Sequence, residues 1–588
     1  MRIIVIDSGL DDCYSREHIV GGVSIIEKDG KFIVSEGFSD TNGHGTNVTD
    51  TILSYTDKAE IYVVKLYENE EYTSPEKLIY ALNYVCNEIE ADLIQISSGV
   101  IRYTEELHNV IKKITEKKII VISAFSNDKT ISYPAALPEV IGVDINEMYN
   151  KKEMFDIVFG DIIDIRAGNE YLRMKGLNGK KKISKGTSFL TSYFTATIAN
   201  KNLSGCNKEQ ILQSLKSQAI NVLIAKKHEE YTASSFVNQM KKAIVFPFNK
   251  EVNAIAANED LLPFKIDSYY DVKHKFLVGR QVKDVLGYSD NEKVINSYAN
   301  IDWTSDFDTI ICGHIREIEQ FTKTDYISDI LKKCRKYKKK AYFFDDLSLF
   351  GRKYKPDENI YYTTLQDNPN LLYRFGKLNT PHTPILTVLG TSSKQGKYSI
   401  QLDLLREFRK RGASVGSIAT EPTGPLLSFD DYFSFGYGSR NDIPARSMIR
   451  ILNEKIRLLE KNNPDIIISG CQSATTACDF RTERTLPLEQ YAYLLGMNPD
   501  GAVLCVNSFD AIEYIKRTIE FIESYGNARV IAIVISEAQN NNNKTLQQFA
   551  KEYDLHKKQL EEETNKPIFR LFDLDIVGLV DKIVEYYS

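Results

Sequence analysis

Short apolar runs alternate with amphipathic stretches through the first 220 residues of this 588-residue chain. The apolar runs are rich in Ile and Val, and each has the length of one buried strand: IIVID, EIYVVKLY, DLIQISSG, KIIVISAF and EVIGVDI. The stretches between them, such as PEKLIYALNYVCNEI and ELHNVIKKITEK, carry apolar residues at helical spacing. This alternation predicts a parallel sheet covered by helices. The pattern also predicts a closing helix from Leu203 to Ala219, with Ser204 as its cap.

The same alternation continues in the rest of the chain, after a polar connection at 226–239. The runs FKIDSYYD, FDTIICGH and KKAYFFDD predict a small Rossmann-like α/β unit. Pro381 and Pro384 then mark a boundary, and ILTVLG, SVGSIAT, DIIISG, GAVLCVN and RVIAIVIS predict the strands of another sheet. We therefore expect an α/β chain of three domains, at residues 1–225, 240–378 and 380–588.

Composition narrows the classes of partner. The chain is 43% hydrophobic and 26% charged, as ordinary globular proteins are, and its net charge of −6 gives no reason to expect a nucleic acid partner. No apolar run is long enough to predict a membrane span. The 8 cysteines form no C-x-x-C pair, so no metal site is expected. Because Met1 and Arg2 lead directly into an apolar strand without a signal-peptide pattern, we expect a cytoplasmic protein whose catalytic domain comes first.

Three short motifs in the first domain supply the groups needed for nucleophilic acyl transfer. Asp7 lies in IVIDSG, His44 in NGHGTN and Ser188 in KGTSFL, which gives a carboxylate, an imidazole and a hydroxyl. A buried aspartate holds the imidazole in one tautomer, and the imidazole accepts the proton of the serine. Asn127 follows the predicted strand VISAF, where its amide is placed to donate to a developing oxyanion. The other histidines have no comparable context, so we expect them to be surface or structural residues.

The order Asp, His, Asn, Ser and the flanking glycines resemble the subtilase (S8) serine peptidase family over about residues 1–220. The resemblance implies a subtilisin-like parallel-sheet domain in which Asp7 orients the imidazole, His44 is the general base, Ser188 the nucleophile and Asn127 the oxyanion donor. It implies a peptide or protein substrate and no cofactor for proteolysis. One departure is that Leu190 and Ser192 replace the small residue and the proline of the family pattern, which affects the S1 side or the helix start but removes no catalytic atom.

A second motif, TVLGTSSKQGKYS, places a glycine-containing loop between a predicted strand and a predicted helix. This context is the one that a phosphate-binding loop requires. Backbone amides from Gly390 and Thr391 to Gly396 are placed to surround a phosphate, and Lys397 to reach the β- and γ-oxygens. The loop is one residue longer than the common G-x-x-x-x-G-K spacing. We predict that residues 380–588 bind a nucleotide.

The longer loop resembles that of dethiobiotin synthetase and related P-loop proteins. Glu421 in IATEPTG resembles the second motif of that family, and the resemblance implies ATP or GTP with Mg²⁺. Tyr398 stands where a serine or threonine usually meets the metal, and Ser399 comes one place later. The loop is therefore expected to bind the phosphates of a nucleotide but to be poorly suited to hydrolysing the nucleotide.

The predicted Mg²⁺ ligand stays open. Ser469 and Gly470 end the strand DIIISG, where P-loop proteins usually carry an acidic residue. Three aspartates remain as alternatives, and the sequence does not choose between them: Asp430, Asp431 and Asp442.

Residues 240–588 together resemble a little-characterised bacterial family that joins a Rossmann-like domain to a P-loop domain, versions of which accompany peptide-maturation systems. Two functions follow. The first is an intracellular serine endopeptidase that processes a precursor peptide of the bacteriocin type and is coupled to a nucleotide-binding module. The alternative is an ATP-dependent ligase or kinase that modifies peptides and carries an accessory subtilase domain. A homo-oligomer is compatible with either function.

Overall fold

The chain divides into two compact units. One comprises Met1–His228 with Pro369–Thr380, and the other comprises Glu229–Asn368 with Pro381–Ser588. We call them unit 1 and unit 2. The computed structural model describes residues 1–67, 73–128, 130–225, 232–273, 276–350, 356–363, 376–433, 443–478, 488–526, 528–536 and 546–588.

Unit 1 is built on a mostly parallel sheet of ten strands. Its strands, and those of a separate two-stranded hairpin formed by β10 and β11, are β1 (Arg2–Asp7), β2 (Ile19–Lys28), β3 (Lys31–Glu36), β4 (Glu60–Lys65), β5 (Leu93–Ile96), β6 (Ile120–Ala124), β7 (Ile141–Ile145), β8 (Phe155–Phe159), β9 (Ile165–Ala167), β10 (Leu172–Lys175), β11 (Lys181–Ser184) and β12 (Asn221–Ile224). The order in the large sheet is β12-β8-β9-β7-β6-β5-β1-β4-β2-β3. Antiparallel pairing occurs between β2 and β3 and between β8 and β9.

Helices cover both faces of this sheet. They are α1 (His44–Tyr55), α2 (Pro75–Glu88), α3 (Glu105–Glu116), α4 (Thr187–Asn200) and α5 (Lys208–Leu215). An apolar core lies on each face of the sheet, and alternate residues of β1 pack into one core or the other, because successive side chains of a strand point to opposite faces. Ile4 and Ile6 pack in the core that includes α2 and α3. Ile3 and Val5 pack in the core that includes α1, α4 and α5. Strand β1 is therefore buried on both sides, and Asp7 lies at its carboxyl end.

The closing helix is shorter than predicted. Helix α5 begins at Lys208 because Asn207 forms a capping box with Gln210, in which each side chain accepts a hydrogen bond from the backbone N–H of the other residue. The expectation that Ser204 caps the helix is wrong. Its hydroxyl donates to the carboxylate of Asp92.

Unit 2 contains two parallel sheets, one of six strands and one of seven. Their strands are β13 (Lys242–Phe246), β14 (Lys265–Asp271), β15 (Ile295–Ser297), β16 (Thr309–Cys312), β17 (Lys340–Phe343), β18 (Ile360–Tyr362), β19 (Ile385–Gly390), β20 (Val415–Ala419), β21 (Asp431–Tyr432), β22 (Ile466–Gly470), β23 (Gly501–Asn507), β24 (Arg529–Ser536) and β25 (Ile568–Arg570). The order is β15-β14-β13-β16-β17-β18 in the first sheet and β21-β20-β22-β19-β23-β24-β25 in the second. The α/β class expected from the sequence is confirmed.

The helices of unit 2 are α6 (Ala233–Val237), α7 (Lys250–Ala257), α8 (Val282–Leu286), α9 (Arg316–Thr322), α10 (Tyr326–Tyr337), α11 (Lys397–Lys410), α12 (Ala445–Glu460), α13 (Leu488–Met497), α14 (Ile512–Tyr525), α15 (Leu546–Thr564) and α16 (Ile576–Tyr587). One apolar core extends across both sheets, from Tyr342 in the first to Leu386 in the second. The hydroxyl of Tyr342 donates to the carbonyl of Pro422 at 3.2 Å. Within the described parts of the chain, no helix is long and apolar enough to cross a membrane.

Candidate active site and phosphate loop

Asp7 and His44 are brought together by two elements of unit 1. Asp7 ends β1, and His44 is the first residue of α1. Nδ1 of His44 lies 2.8 Å from Oδ1 of Asp7, which is fully buried. The same oxygen accepts hydrogen bonds from the N–H of Ser8 at 2.7 Å and from the hydroxyl of Tyr67 at 3.0 Å. The aspartate is thus held as an acceptor facing the imidazole.

The pKa values of Asp7 and His44 are shifted in opposite directions. Burial acts to raise the pKa of Asp7, but the charge and hydrogen bond of His44 and the N–H of Ser8 outweigh it, so the pKa lies below 3.8. Burial acts to lower the pKa of His44, but the charge and hydrogen bond of Asp7 raise it above 6.5. The positive charge of Lys182, on β11, opposes that rise. The imidazole is therefore more basic than in water.

Ser188 lies in the first turn of α4 and is buried. Its hydroxyl donates to the carbonyl of Ser97 at 3.4 Å. Within the described residues the structure records no hydrogen bond between Ser188 and His44. The ring of His44 packs 5.5 Å from that of Phe189, the next residue of α4. Catalytic hydrogen bonds are often long before substrate binds, so this arrangement is compatible with a serine nucleophile beside its base.

The departure from the family pattern at Ser192 has a structural explanation. The hydroxyl of Ser192 donates to the carbonyl of Ser188 at 2.9 Å and accepts from the amide of Gln95 at 2.9 Å. Thr191 likewise donates to the carbonyl of Thr187 at 2.8 Å. These bonds occupy carbonyls in the first turns of α4. The helix begins at Thr187 without the proline.

Asn127 lies beside the start of the same helix. Its Oδ1 accepts from the N–H of Thr187 at 3.1 Å and from the Thr187 hydroxyl at 3.2 Å. A side chain at Gly186 would bring its Cβ to 3.4 Å from this amide, and Gly186 has a φ of +152°. Nδ2 of Asn127 makes no hydrogen bond to any residue that the structure describes. The structure therefore places this amide beside Gly186 and Thr187, the two residues that precede Ser188.

Two residues that sequence reasoning missed organise the site. Tyr67 donates to Asp7 from 60 positions away, and its own sequence neighbourhood carries no motif. Asp40 accepts from the hydroxyl of Ser8 at 2.9 Å, from the N–H of Gly43 at 2.8 Å and from the hydroxyl of Thr46 at 2.6 Å. Asp40 thus joins the loop after β1 to the start of α1. Its position two residues before Asn42-Gly43, in a polar loop, was the one available signal.

The predicted phosphate loop connects β19 to α11 in unit 2. Gly396 precedes the helix with a φ of +76°, and a Cβ there would lie 2.6 Å from Leu571. A Cβ at Gly390 would lie 2.6 Å from Oε1 of Gln395 and 3.0 Å from Lys397. Both glycines are therefore required by close approach, as in a loop that wraps a phosphate. The hydroxyl of Thr391 donates to Asp510, so this threonine anchors the loop to the end of β23.

Lys397 and Glu421 line one cavity of about 230 Å³ in unit 2. Nζ of Lys397 donates to the carbonyl of Ser392 at 2.5 Å, and burial lowers its pKa. Glu421 accepts from the amide of Gln472 at 2.5 Å, and burial raises its pKa. Ser399 lines the same cavity. Of the nucleotide-site residues predicted from the sequence, Gly396, Lys397, Ser399 and Glu421 therefore line one cavity, and Gly390 and Thr391 are not among its lining residues.

The metal position stays open in the structure. Ser469 and Gly470 are the last two residues of β22, and the Ser469 hydroxyl lies 2.7 Å from that of Thr387. Asp430 accepts from the hydroxyl of Ser417 at 2.7 Å, and Asp431 pairs with Lys455 at 2.7 Å. Asp442 lies outside the described residues. Within the described chain, no group of three His, Cys, Asp or Glu side chains has the geometry of a metal site.

The family comparisons assign the two ends of the chain separately. Residues 375–569 match the family described as "Domain of unknown function (DUF1611_C) P-loop domain". The minor extracellular protease Epr of Bacillus subtilis is 26% identical over 212 residues, which are 34% of this chain and 31% of Epr. The major intracellular serine protease of Bacillus subtilis is 25% identical over 230 residues, 34% of this chain and 71% of that protein. This chain thus spans about a third of the length of Epr.

A solved structure adds a further comparison. The crystal structure of a DUF1611 family protein from Anabaena variabilis is 14% identical, covers 59% of this chain and 100% of its own, and has a TM-score of 0.41. By sequence, the chain joins a region similar to subtilisin-type serine proteases to a region that matches the DUF1611 P-loop domain.

Proposed function

We propose that unit 1 is a serine endopeptidase in which Ser188 is the nucleophile. His44 accepts the hydroxyl proton on Nε2 as Ser188 Oγ attacks the scissile carbonyl. Asp7 holds Nδ1–H of the imidazole and stabilises the imidazolium that forms. Return of the proton to the leaving amine gives an acyl-enzyme, and water then releases it. The 2.8 Å contact between Asp7 and His44, beside the start of α4, is the observation that carries this proposal.

Asn127 is the proposed side-chain donor to the tetrahedral oxyanion. Its Oδ1 is fixed by Thr187, which leaves Nδ2 as the donor for an oxyanion. The backbone N–H of Ser188, at the amino end of α4, is the second donor, and the helix dipole favours negative charge there. Removing one such donor costs about 10²–10³ in kcat in subtilisin.

The proposed substrate is a peptide, in particular a precursor that is cut at a defined place inside the cell. The name of the second relative, an intracellular serine protease, supports the location, and the extra P-loop region supports a dedicated role rather than general degradation. We propose that this region binds ATP or GTP through Gly390, Gly396 and Lys397. A nucleotide supplies a transferable phosphoryl group there, and Mg²⁺ would accompany it.

A ligase or kinase activity in unit 2 is the second candidate. The observation that favours it is the cavity beside the loop, where Lys250 and Glu251 of α7 face Lys397 and Glu421. Such a space fits a second substrate next to a phosphate donor. His314, expected from the sequence to be structural, pairs with Asp345 at 2.9 Å after β16, and the charges of Glu251 and Glu421 act on its pKa. These groups would bind and deprotonate an acceptor, and unit 1 would then be accessory.

Labelling with a fluorophosphonate tests the endopeptidase. We expect the full chain to gain one phosphonyl group, located at Ser188 by mass spectrometry, and the Ser188→Ala variant to gain none. Ser192→Ala is the matched control, because its hydroxyl lies one helical turn away and bonds within α4. A chain that stays unlabelled with and without ATP or GTP contradicts the proposal. Cleavage of a candidate precursor by the Ser188→Ala variant would do the same.

A further inference from the structure

A short segment far along the sequence packs beside the loop that carries Asn127. Residues 376–380 belong to unit 1 although β13 to β18 precede them in the chain. The carbonyl of Leu378 accepts from the N–H of Ile131 at 2.8 Å, and Leu378 forms a parallel bridge with Thr130. The segment therefore pairs with the backbone that follows Asn127.

Lys377 extends from this segment into the interior of unit 1. Its side chain is 3% exposed, and Nζ lies 3.1 Å from Oδ1 of the buried Asp144. The same ammonium donates to the carbonyl of Ser126 at 2.9 Å and lies 5.3 Å from the ring centroid of Phe125. A cation buried this completely requires both partners, because an unpaired charge in the interior is costly.

The carbonyl of Ser126 is part of the peptide that joins it to Asn127. Holding this carbonyl fixes the backbone position from which the Asn127 side chain projects, while Thr187 fixes its Oδ1. Burial of an ion pair is by itself a weak source of stability. The location of the Lys377–Asp144 pair indicates a role in orienting Asn127 instead. An oxyanion donor loses most of its effect when it is displaced by about 1 Å.

We propose that Lys377 is a positioning residue that holds Asn127 in place for oxyanion binding. The proposal rests on the proposed serine endopeptidase. Its specific content is that the oxyanion donor is supported by a segment outside the first 228 residues, so the subtilisin-like region alone lacks this support. The effect of Lys377 on the chemical step should pass through Asn127.

The first test measures the rate of fluorophosphonate labelling of full-length variants over a range of probe concentrations. It separates kinact, the rate constant of the covalent step, from KI, the probe concentration that gives half of the maximal rate. We expect Lys377→Met to lower kinact by about tenfold or more and to change KI little, as for the loss of part of an oxyanion donor. We expect Asn127→Ala to lower kinact further. In the Asn127→Ala background, Lys377→Met should have no additional effect, because residues that act through one another are not additive.

Lys208 provides a matched control. Its Nζ also contacts a buried aspartate, Asp164 at 2.8 Å, and donates to two carbonyls, those of Pro138 at 2.9 Å and Val140 at 2.8 Å. Lys208→Met should lower the melting temperature and leave kinact unchanged. The double variant Lys377→Met, Asp144→Asn removes both buried charges. It should regain stability while kinact stays low, because the Ser126 carbonyl still lacks its donor.

The outcomes separate the two proposals. If the unmodified chain is labelled and Lys377→Met is labelled at the same kinact, the positioning role is wrong and the endopeptidase stands. Additive losses in the Asn127→Ala background also overturn it, since they indicate a general structural effect. If the unmodified chain is not labelled, the endopeptidase fails and the positioning role fails with it.

Discussion

Single residues decide the protonation state of the candidate active site. The folded-state pKa of His44 lies above 6.5, so its ion pair with Asp7 stabilises the fold fully below pH 6.5 and loses that contribution as pH rises through the raised pKa. The pKa of Asp7 lies below 3.8, so its contribution is present above pH 3.8 and is lost as pH falls through the lowered pKa. The pair therefore stabilises unit 1 most in weakly acidic solution.

The same pKa shift predicts the pH dependence of labelling. His44 must be neutral to accept the Ser188 proton, so kinact should rise with pH through a pKa above 6.5. Lys182→Gln should move this limb to higher pH, because the positive charge of Lys182 lowers the pKa of His44. A pH profile at low ionic strength measures the shift, and high salt should reduce it.

Lys181→Gln is the control for that profile. Lys181 is the adjacent residue of β11 and pairs with Lys175 across the hairpin, so its side chain points to the other face. It should shift the limb less than Lys182→Gln. Equal shifts would indicate a general charge effect, and a limb below pH 6.5 in the unmodified chain would contradict the basic imidazole.

At this scale the sequence indicated the groups to which we assign the chemistry, but not the groups that hold them in place. Asp7, His44, Asn127 and Ser188 stand in motifs that are visible one at a time, and the structure brings them to one edge of the sheet. Tyr67 is 60 positions from Asp7, and Lys377 is 251 positions from Ser126. Nothing in their neighbouring residues indicates those contacts, because they arise only when distant strands and loops meet.

At the scale of elements, the phosphate loop depends on a glycine that allows close packing. Gly396 and Gly412 both have positive φ, at +76° and +87°. A Cβ at Gly396 would overlap Leu571, whereas a Cβ at Gly412 meets nothing within 4 Å. We expect Gly412→Ala to lower the free energy of unfolding by about 1–2 kcal/mol through backbone strain alone. Gly396→Ala should cost more and weaken nucleotide binding at least tenfold, which urea unfolding and calorimetric titration with ATP and GTP measure.

Equal stability losses and unchanged nucleotide affinity in the two glycine variants would contradict the role given to Gly396.

Strands and their burial were predictable, because Ile- and Val-rich runs such as those of β1 and β22 leave no helical alternative. The residues at which helices begin were harder to predict. Ser204 is of a residue type that commonly caps a helix. The capping box, however, is formed by Asn207 with Gln210, and the hydroxyl of Ser204 donates a hydrogen bond to Asp92.

At the scale of the whole molecule, two compact units predict two thermal transitions. A nucleotide that binds only folded unit 2 should raise one transition, by about 2.7 kcal/mol of stability at 100 times its Kd, and leave the other unchanged. Lys397→Ala should abolish the effect, and Ser188→Ala should retain it. Differential scanning calorimetry with ATP and GTP distinguishes these cases. A shift that survives in the Lys397→Ala variant would exclude the loop as the phosphate site.

The division of the chain was the part least accessible from sequence. Pro381 and Pro384 were predicted to mark a boundary; unit 2 resumes at Pro381, whereas the residues just before it pack in unit 1 through Lys377 and Leu378. The two sheets of unit 2, predicted as separate domains, share an apolar core around Tyr342 and Leu386. Periodicity describes elements and carries no information about which distant element covers a given face.

The return of residues 376–380 to unit 1 sets an order of events during synthesis. The last strand of the ten-stranded sheet, β12, leaves the ribosome about 150 residues before Lys377, a delay of about 8–30 s at roughly 5–20 residues per second. During that interval the serine, the histidine and the aspartate are already made, while the carbonyl of Ser126 still lacks its lysine. The oxyanion donor that we propose for unit 1 therefore lacks one of its supports until residues 376–380 have been synthesised.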